Sequence, residues 1–239
     1  LACESLTGEY HPALPAAAAV ELVHNSAIIH EGIQSGTPNH GHRPSVWWLW
    51  GPGQAINGGD GMHAMARVAL IRLQNRGANV SRILKCMRIL DQSCLTMCEG
   101  QHLDLAFQEK LDIGVNSYLT MAAGKSGALM ACAMGLGALA AREDDDVVEA
   151  FRGWGENFGI ALQIRNDLRE LRQSDQVSSS SDNLLNKKKL LPIVYAFATG
   201  DLRTKRELGT IYFKRVLEHD DIKKITNILN STSAIAFAE

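Results

Sequence analysis

The apolar residues of this chain recur at helical spacing almost throughout. No stretch shows the strict two-residue alternation of a half-buried strand. Pro12 and Pro15 precede an apolar pattern over 16–34, placed where a first helical turn leaves its N–H groups unused. Further helices are predicted from 52 or 54 to 74, and over 79–100, 113–141, 145–173, 190–199, 204–217 and 220–229. The segment 35–44, SGTPNHGHRP, is turn-rich and reads as a loop. Connections are short except 174–186, whose serine run predicts a mobile surface loop. Many apolar-faced helices with short links imply one all-α antiparallel bundle over 1–239.

Composition narrows the function classes. A net charge of −2 offers no basic footprint for nucleic acid or an anionic membrane surface. Five cysteines (Cys3, Cys86, Cys94, Cys98 and Cys132), odd in number and set in apolar segments, read as reduced thiols of a cytoplasmic protein. The longest nearly apolar run, 127–141, has 15 residues and three glycines, short of the ~20 that a bilayer span needs. It therefore reads as a buried helix, with Ala128, Ala131 and Gly135 letting a neighbour approach, and no transmembrane segment is expected. The chain opens on Leu1 without a secretory pattern and is expected to be trimmed at its N-terminus.

The segment GIALQIRNDLRE, 159–170, carries the most chemical information. Gln163, Asn166, Asp167 and Glu170 fall at i, i+3, i+4 and i+7, on one helix face. Ile160, Ile164, Leu168 and Leu171 line an apolar stripe beside them, and Arg165, Arg169 and Arg172 a basic one. Two carboxylates and an amide oxygen are hard ligands suited to Mg²⁺ with bound phosphates. The alternative is a solvated face, with Asp167 and Glu170 paired to Arg169 and Arg172.

This segment resembles the second aspartate-rich motif of the trans-polyprenyl (isoprenyl) diphosphate synthases, Phe-Gln followed two residues later by Asp-Asp-x-x-Asp. Gln163 matches the glutamine, and Asn166, Asp167 and Glu170 occupy the aspartate positions. Upstream, LPAAAAVELVHNSAIIHEGIQSGTP resembles the family's first motif: Glu21, Leu22, His24 and His30 match, while Glu31, Gly32 and Ser35 stand where three metal-binding aspartates belong. RPSVWWLWGPGQAINGGDGMHAMA resembles the segment after the family's paired arginines, here reduced to Arg43 with His40 and His42. Gln101 and Asp104 match a Gly-Gln-x-x-Asp segment. Lys125 and Lys188 stand where the family places diphosphate-contacting lysines, in GKSGAL and LLNKKKLLP.

The resemblance implies an isoprenoid synthase-type bundle around a central cavity, with small residues such as Ala122, Ala123, Ala131 and Ala133 leaving room for a prenyl chain. It implies an Mg²⁺-dependent prenyltransferase acting on an allylic prenyl diphosphate, with isopentenyl diphosphate as second substrate where elongation occurs. Asp167, Lys125 and Gln163 would be catalytic. Arg43, His40, Lys125, Lys188 and Gln101 would bind substrate, and Asn166, Asp167, Glu170 and Glu31 would hold metal. Because one glutamate stands for three aspartates, two alternatives stay open: a catalytically silent regulatory subunit pairing with an intact synthase, and a divergent terpene cyclase. The resemblance also implies a homodimer, or a heterodimer with a related synthase. The family's isopentenyl-binding segment would precede Leu1, and its C-terminal helices would follow Glu239. Small residues Asn25, Ser26 and Ala27 before the first motif point to a longer rather than a shorter product.

Other residues have plainer readings. Cys94, Cys98 and His102 share a helix face, but i and i+8 lie about 12 Å apart at 1.5 Å per residue, too far for one tetrahedral zinc. Trp47, Trp48 and Trp50 read as packing at a loop-to-helix junction, and His24 and His30 as interior histidines. The acidic run 143–146 reads as the solvated first turn of a helix, favoured by its dipole.

Overall fold

The computed structural model describes residues 1–41, 43–173 and 182–239. His42 and residues 174–181, which include the serine run, lie outside them. The protein is all-α, its helices joined by turns and one hairpin of two residue pairs.

Most long predicted helices form close to their expected bounds: Leu14–Ser35, Pro52–Ile71, Asp145–Gln173, Leu191–Thr199 and His219–Asn230; Val80–Gln108 runs past its predicted end at 100, and Leu202–Tyr212 stops short of its predicted end at 217. Val115–Ala122 and Ala128–Ala141 are joined by a π turn over Ala123–Gly127. Proline opens several of these helices, including those at Pro52 and Leu191, where a first-turn N–H has no helical acceptor. Asp201 caps the Leu202–Tyr212 helix by accepting from Thr204 N at 2.7 Å, which starts it two residues before its predicted first residue. Glu218 and Asp221 form a reciprocal capping box on His219–Asn230. Short helices at Ala2–Thr7, Val46–Trp50, Asp182–Leu185 and Ala234–Ala238 were not foreseen; each is too short for a periodic signal. In the 35–44 segment, Asn39–His40 pairs antiparallel with Arg43–Pro44, and Gly41 takes a φ of 60° at the turn.

The 127–141 run lies within the predicted 113–141 helix. Val115–Ala141 is helical over 27 residues, and its apolar character carries on through Asn116, Ser117, Lys125 and Ser126. It and His11–Ser35 are long and apolar enough, by length and composition, to cross a membrane, so the length argument against a span does not hold. Of their most apolar windows, 61% and 22% respectively is buried inside the protein.

The chain divides into two compact units. One comprises Leu1–Met97 and Gly127–Phe158, the other Cys98–Ser126 and Gly159–Glu239. In the first, Leu14–Ser35 packs along Pro52–Ile71 and against Ala128–Ala141, around a core that includes Ala19, Leu70, Leu73, Leu90 and Leu136. Small residues bring its helices together as expected: a Cβ on Gly155 would lie 2.5 Å from the Met130 carbonyl oxygen, and Gly135 accepts the stem of Arg152. The acidic run is solvated, with Glu143 pairing with Arg82 at 2.8 Å and Asp145 with Lys85 at 2.9 Å. In the second unit, one core gathers Leu184, Ile193, Leu208, Ile222 and Ile225, and another Phe107, Tyr118, Met121 and Val194. Burial of side chains this size contributes roughly 1.5–3 kcal/mol each before chain entropy is counted.

Candidate diphosphate and metal site

In the second unit a close helix crossing sets the geometry. A Cβ on Gly100 would sit 2.2 Å from the backbone nitrogen of Lys125, so this crossing admits only glycine. Gly100 serves this crossing within the helix, which runs on to Gln108 rather than ending there. One turn on, Asp104 shares the face of Gly100, and Lys125 Nζ reaches its Oδ2 at 2.8 Å. Lys188 Nζ lies 3.4 Å from the same oxygen, and all three side chains are largely buried. Two ammonium groups thus converge on the Asp104 carboxylate in a low-dielectric setting. Lys125 stands inside the π turn, an interruption of helical geometry often found at functional sites.

A second hydrogen-bonded chain starts next to it. Ser126 Oγ donates to Gln163 Oε1 at 2.6 Å, and Gln163 Nε2 donates to Asp167 Oδ1 at 3.0 Å. Asp167 Oδ2 accepts from the Tyr118 hydroxyl at 2.7 Å and from the Leu191 backbone N–H at 2.9 Å. Asp167 is only 3% exposed. Burial pushes its carboxyl up to about 6, against the three donors that stabilise its charge. Burial and the Asp167 charge hold the Tyr118 hydroxyl far above the ordinary phenol range. Glu170, one turn further, accepts from Asn183 Nδ2 at 2.6 Å and Leu184 N at 3.1 Å, and burial raises its carboxyl too. The alternative of a solvated face, with Asp167 and Glu170 paired to Arg169 and Arg172, is absent from these bonds, and Arg172 pairs instead with Glu239. Asn166 and the neighbouring Arg165 and Arg169 are exposed.

Lys189, 3% exposed, donates to the carbonyls of Gln108 and Lys187, each at 3.0 Å, and stands 4.3 Å over the Tyr212 ring. Burial, with the Lys187 charge adding to it, depresses its ammonium to about 8.

The first unit carries the other candidates. Glu31 is half-buried on the Leu14–Ser35 helix. Ser35 Oγ turns back to the Glu31 carbonyl at 2.8 Å and also meets Thr37 Oγ1 at 2.8 Å. Gly32 faces the Trp47 ring, 3.4 Å from where a Cβ would stand. Trp47 Nε1 donates to the Thr37 carbonyl at 2.8 Å, so Trp47 packs at the loop-to-helix junction as expected, while Trp48 and Trp50 are exposed. His40 and Arg43 pair across the hairpin and are both exposed. His30 lies against Gly59, near the Ile56 carbonyl (3.4 Å) and Asp60 (3.6 Å), whereas His24 is exposed rather than interior.

A cluster of Mg²⁺ ions requires several carboxylate oxygens with open lone pairs in near-octahedral placement. No group of three or more His, Cys, Asp or Glu side chains able to hold a metal occurs among the described residues. On the second motif, Asp167 and Glu170 already accept from backbone and side-chain donors on both oxygens, and the outward position carries an amide, Asn166. The residues of this motif do not fit such a cluster.

Asp104, Tyr118, Ser126 and Asn183 complete these networks without having been singled out as site residues. Tyr118 lies 49 positions from Asp167, a separation that periodicity cannot bridge. Its only sequence signal is a phenol set among apolar neighbours, which needs a partner once buried.

The all-α frame is the fold of the helical isoprenyl synthases. The chain belongs to the polyprenyl synthetase family, whose model matches residues 1–229. It is 36% identical over 207 residues to a geranylgeranyl diphosphate synthase of Mycobacterium tuberculosis, covering 86% of this chain and 58% of that protein. It is 34% identical over 202 residues to a geranylgeranyl diphosphate synthase of Methanosarcina mazei, covering 84% and 61%. The crystal structure of a polyprenyl synthetase from Streptomyces coelicolor A3(2) superposes with a TM-score of 0.87 at 26% identity, covering 99% of this chain and 71% of that one. The chain thus spans little more than half the length of the curated relatives it matches.

Proposed function

We propose that this chain acts in isoprenoid biosynthesis as a prenyltransferase-type protein that binds an allylic prenyl diphosphate on Lys125 and Lys188. The observation that carries this reading is the convergence of both ammonium groups on the single carboxylate of Asp104. A diphosphate arriving there meets both ammonium groups. When the allylic C–O bond breaks, negative charge accumulates on the leaving diphosphate, and preorganised ammonium groups stabilise it where water is excluded. Ser126 and Gln163, adjoining Lys125, add polar contacts. The family and the geranylgeranyl and farnesyl diphosphate synthases among its relatives supply the substrate class. Arg43, His40 and Gln101 are the further substrate-binding candidates. No step is routed through Mg²⁺, because the second-motif carboxylates are engaged elsewhere.

That engagement favours a second reading: a non-catalytic subunit that binds prenyl diphosphate and pairs with an intact synthase. Incubation with farnesyl diphosphate, with and without isopentenyl diphosphate, separates the two. Product formation that is lost in Lys125→Ala supports the enzyme. Binding of farnesyl diphosphate without turnover supports the subunit. Absence of binding overturns both.

A further inference from the structure

The segment 183–191 holds three consecutive lysines, and both of its ends are tied to the Asp145–Gln173 helix. At one end, Glu170 accepts from Asn183 Nδ2 and Leu184 N. At the other, Asp167, one turn earlier on the same face, accepts from Leu191 N. Between them Lys187 N bonds to the Leu184 carbonyl and Lys188 N to the Asn183 carbonyl, with Lys187 at a φ of 58°, a left-handed turn that a non-glycine residue adopts only when its surroundings impose it. The turn leaves Lys188 pointing at Asp104 and Lys189 at the Gln108 carbonyl. Tyr118 and Gln163 hold the Asp167 carboxylate in place from the other side.

We infer that Asp167 and Glu170 work as a clasp that shapes the tri-lysine segment and aims Lys188, so that Asp167 is a positioning residue rather than a metal ligand. A carboxylate that accepts three hydrogen bonds, one from the backbone it anchors, keeps little capacity for a cation, and its removal frees the Leu191 end of the segment. The consequence for ligand binding rests on the diphosphate reading above; the clasp itself does not.

The test joins two measurements on the intact chain, using Asp167→Ala, Tyr118→Phe and, as an outward-facing comparison, Asn166→Ala. Hydrogen exchange is followed at the Leu184 and Leu191 amides in buffer containing EDTA, and again with millimolar Mg²⁺. Affinity for inorganic pyrophosphate is measured by calorimetry without divalent metal. A clasp predicts that Leu191 protection falls about tenfold in Asp167→Ala, the loss of one charge-assisted hydrogen bond, and by less in Tyr118→Phe. It stays unchanged in Asn166→Ala, and Mg²⁺ leaves the wild type unaltered. Pyrophosphate affinity falls in the same order. Tyr118→Phe, which removes a single hydroxyl, keeps the test available if Asp167→Ala does not fold. Unchanged Leu191 protection in both Asp167→Ala and Tyr118→Phe, or a Mg²⁺ effect on the wild type that Asp167→Ala abolishes, overturns the clasp. If the wild type takes no pyrophosphate, the diphosphate reading fails alone, and the exchange data still decide the clasp.

Discussion

Gly100 lies so close to Lys125 that a Cβ on it would fall 2.2 Å from the lysine's backbone nitrogen. The obstacle is main chain and cannot rotate away. Gly100→Ala should therefore lower stability by about 1–3 kcal/mol despite alanine's better helix propensity. It should also weaken pyrophosphate binding by shifting the Lys125 ammonium from Asp104. Urea denaturation paired with calorimetry checks both effects; an alanine variant as stable as the wild type would remove the crossing from the account.

Asp104 is the carboxylate that Lys125 and Lys188 share. Asp104→Asn removes the carboxylate that both buried lysines bond, at a cost of about 3–5 kcal/mol. Pyrophosphate should return much of that loss by binding only the folded protein. Thermal unfolding with and without pyrophosphate measures it. Equal recovery in a Lys125→Ala/Asp104→Asn double variant would place the ligand elsewhere.

Lys189 has its folded-state pKa depressed from 10.5 to about 8. The folded protein therefore holds fewer protons than the unfolded chain between those values, and this group's contribution to stability grows as pH rises through that window and is lost as pH falls toward 8. Lys189→Met, which keeps the stem and drops the charge, should flatten the rise. The difference between variant and wild type from pH 8 to 10 should reach about 1–3 kcal/mol in urea titrations. Parallel curves would show that Lys189 is as well solvated as a surface lysine.

Gly155 and Gly153 make a matched pair in the other unit. A Cβ on Gly155 meets the Met130 carbonyl oxygen at 2.5 Å and the Ala131 Cα at 2.9 Å, whereas one on Gly153 meets nothing within 4 Å. Gly155→Ala should destabilise by about 1–3 kcal/mol. Gly153→Ala should stabilise by about 0.5–1 kcal/mol through helix propensity. Opposite signs in denaturant midpoints are the expected result.

The fold was legible wherever the sequence carried a long period. The Asp145–Gln173 helix matches its predicted bounds, because an acidic first turn marks its start and its apolar spacing holds over eight turns. The end of the Val80–Gln108 helix was not legible, since a glycine kept for a close crossing, as at Gly100, looks the same in sequence as one that ends a helix. At the candidate site, family resemblance located Lys125, Lys188 and Gln163, and spacing put Asp167 and Glu170 on one face. Spacing could not say that this face turns toward Tyr118 and the Leu191 amide, because those partners lie 49 and 24 positions away. The first motif was legible only as a departure: Gly32 beside the Trp47 ring is a contact that no pattern within the motif announces.

Asn166 and Asp167 are neighbours in sequence but face opposite demands: one side chain is exposed, the other is sealed in by three donors. Drift at the first position meets solvent and costs the architecture little; drift at the second opens a hole in the hydrogen-bonded interior. The one aspartate in this motif is thus also the side chain most tied to the frame, and its presence reports on the interior it seals as much as on any chemistry.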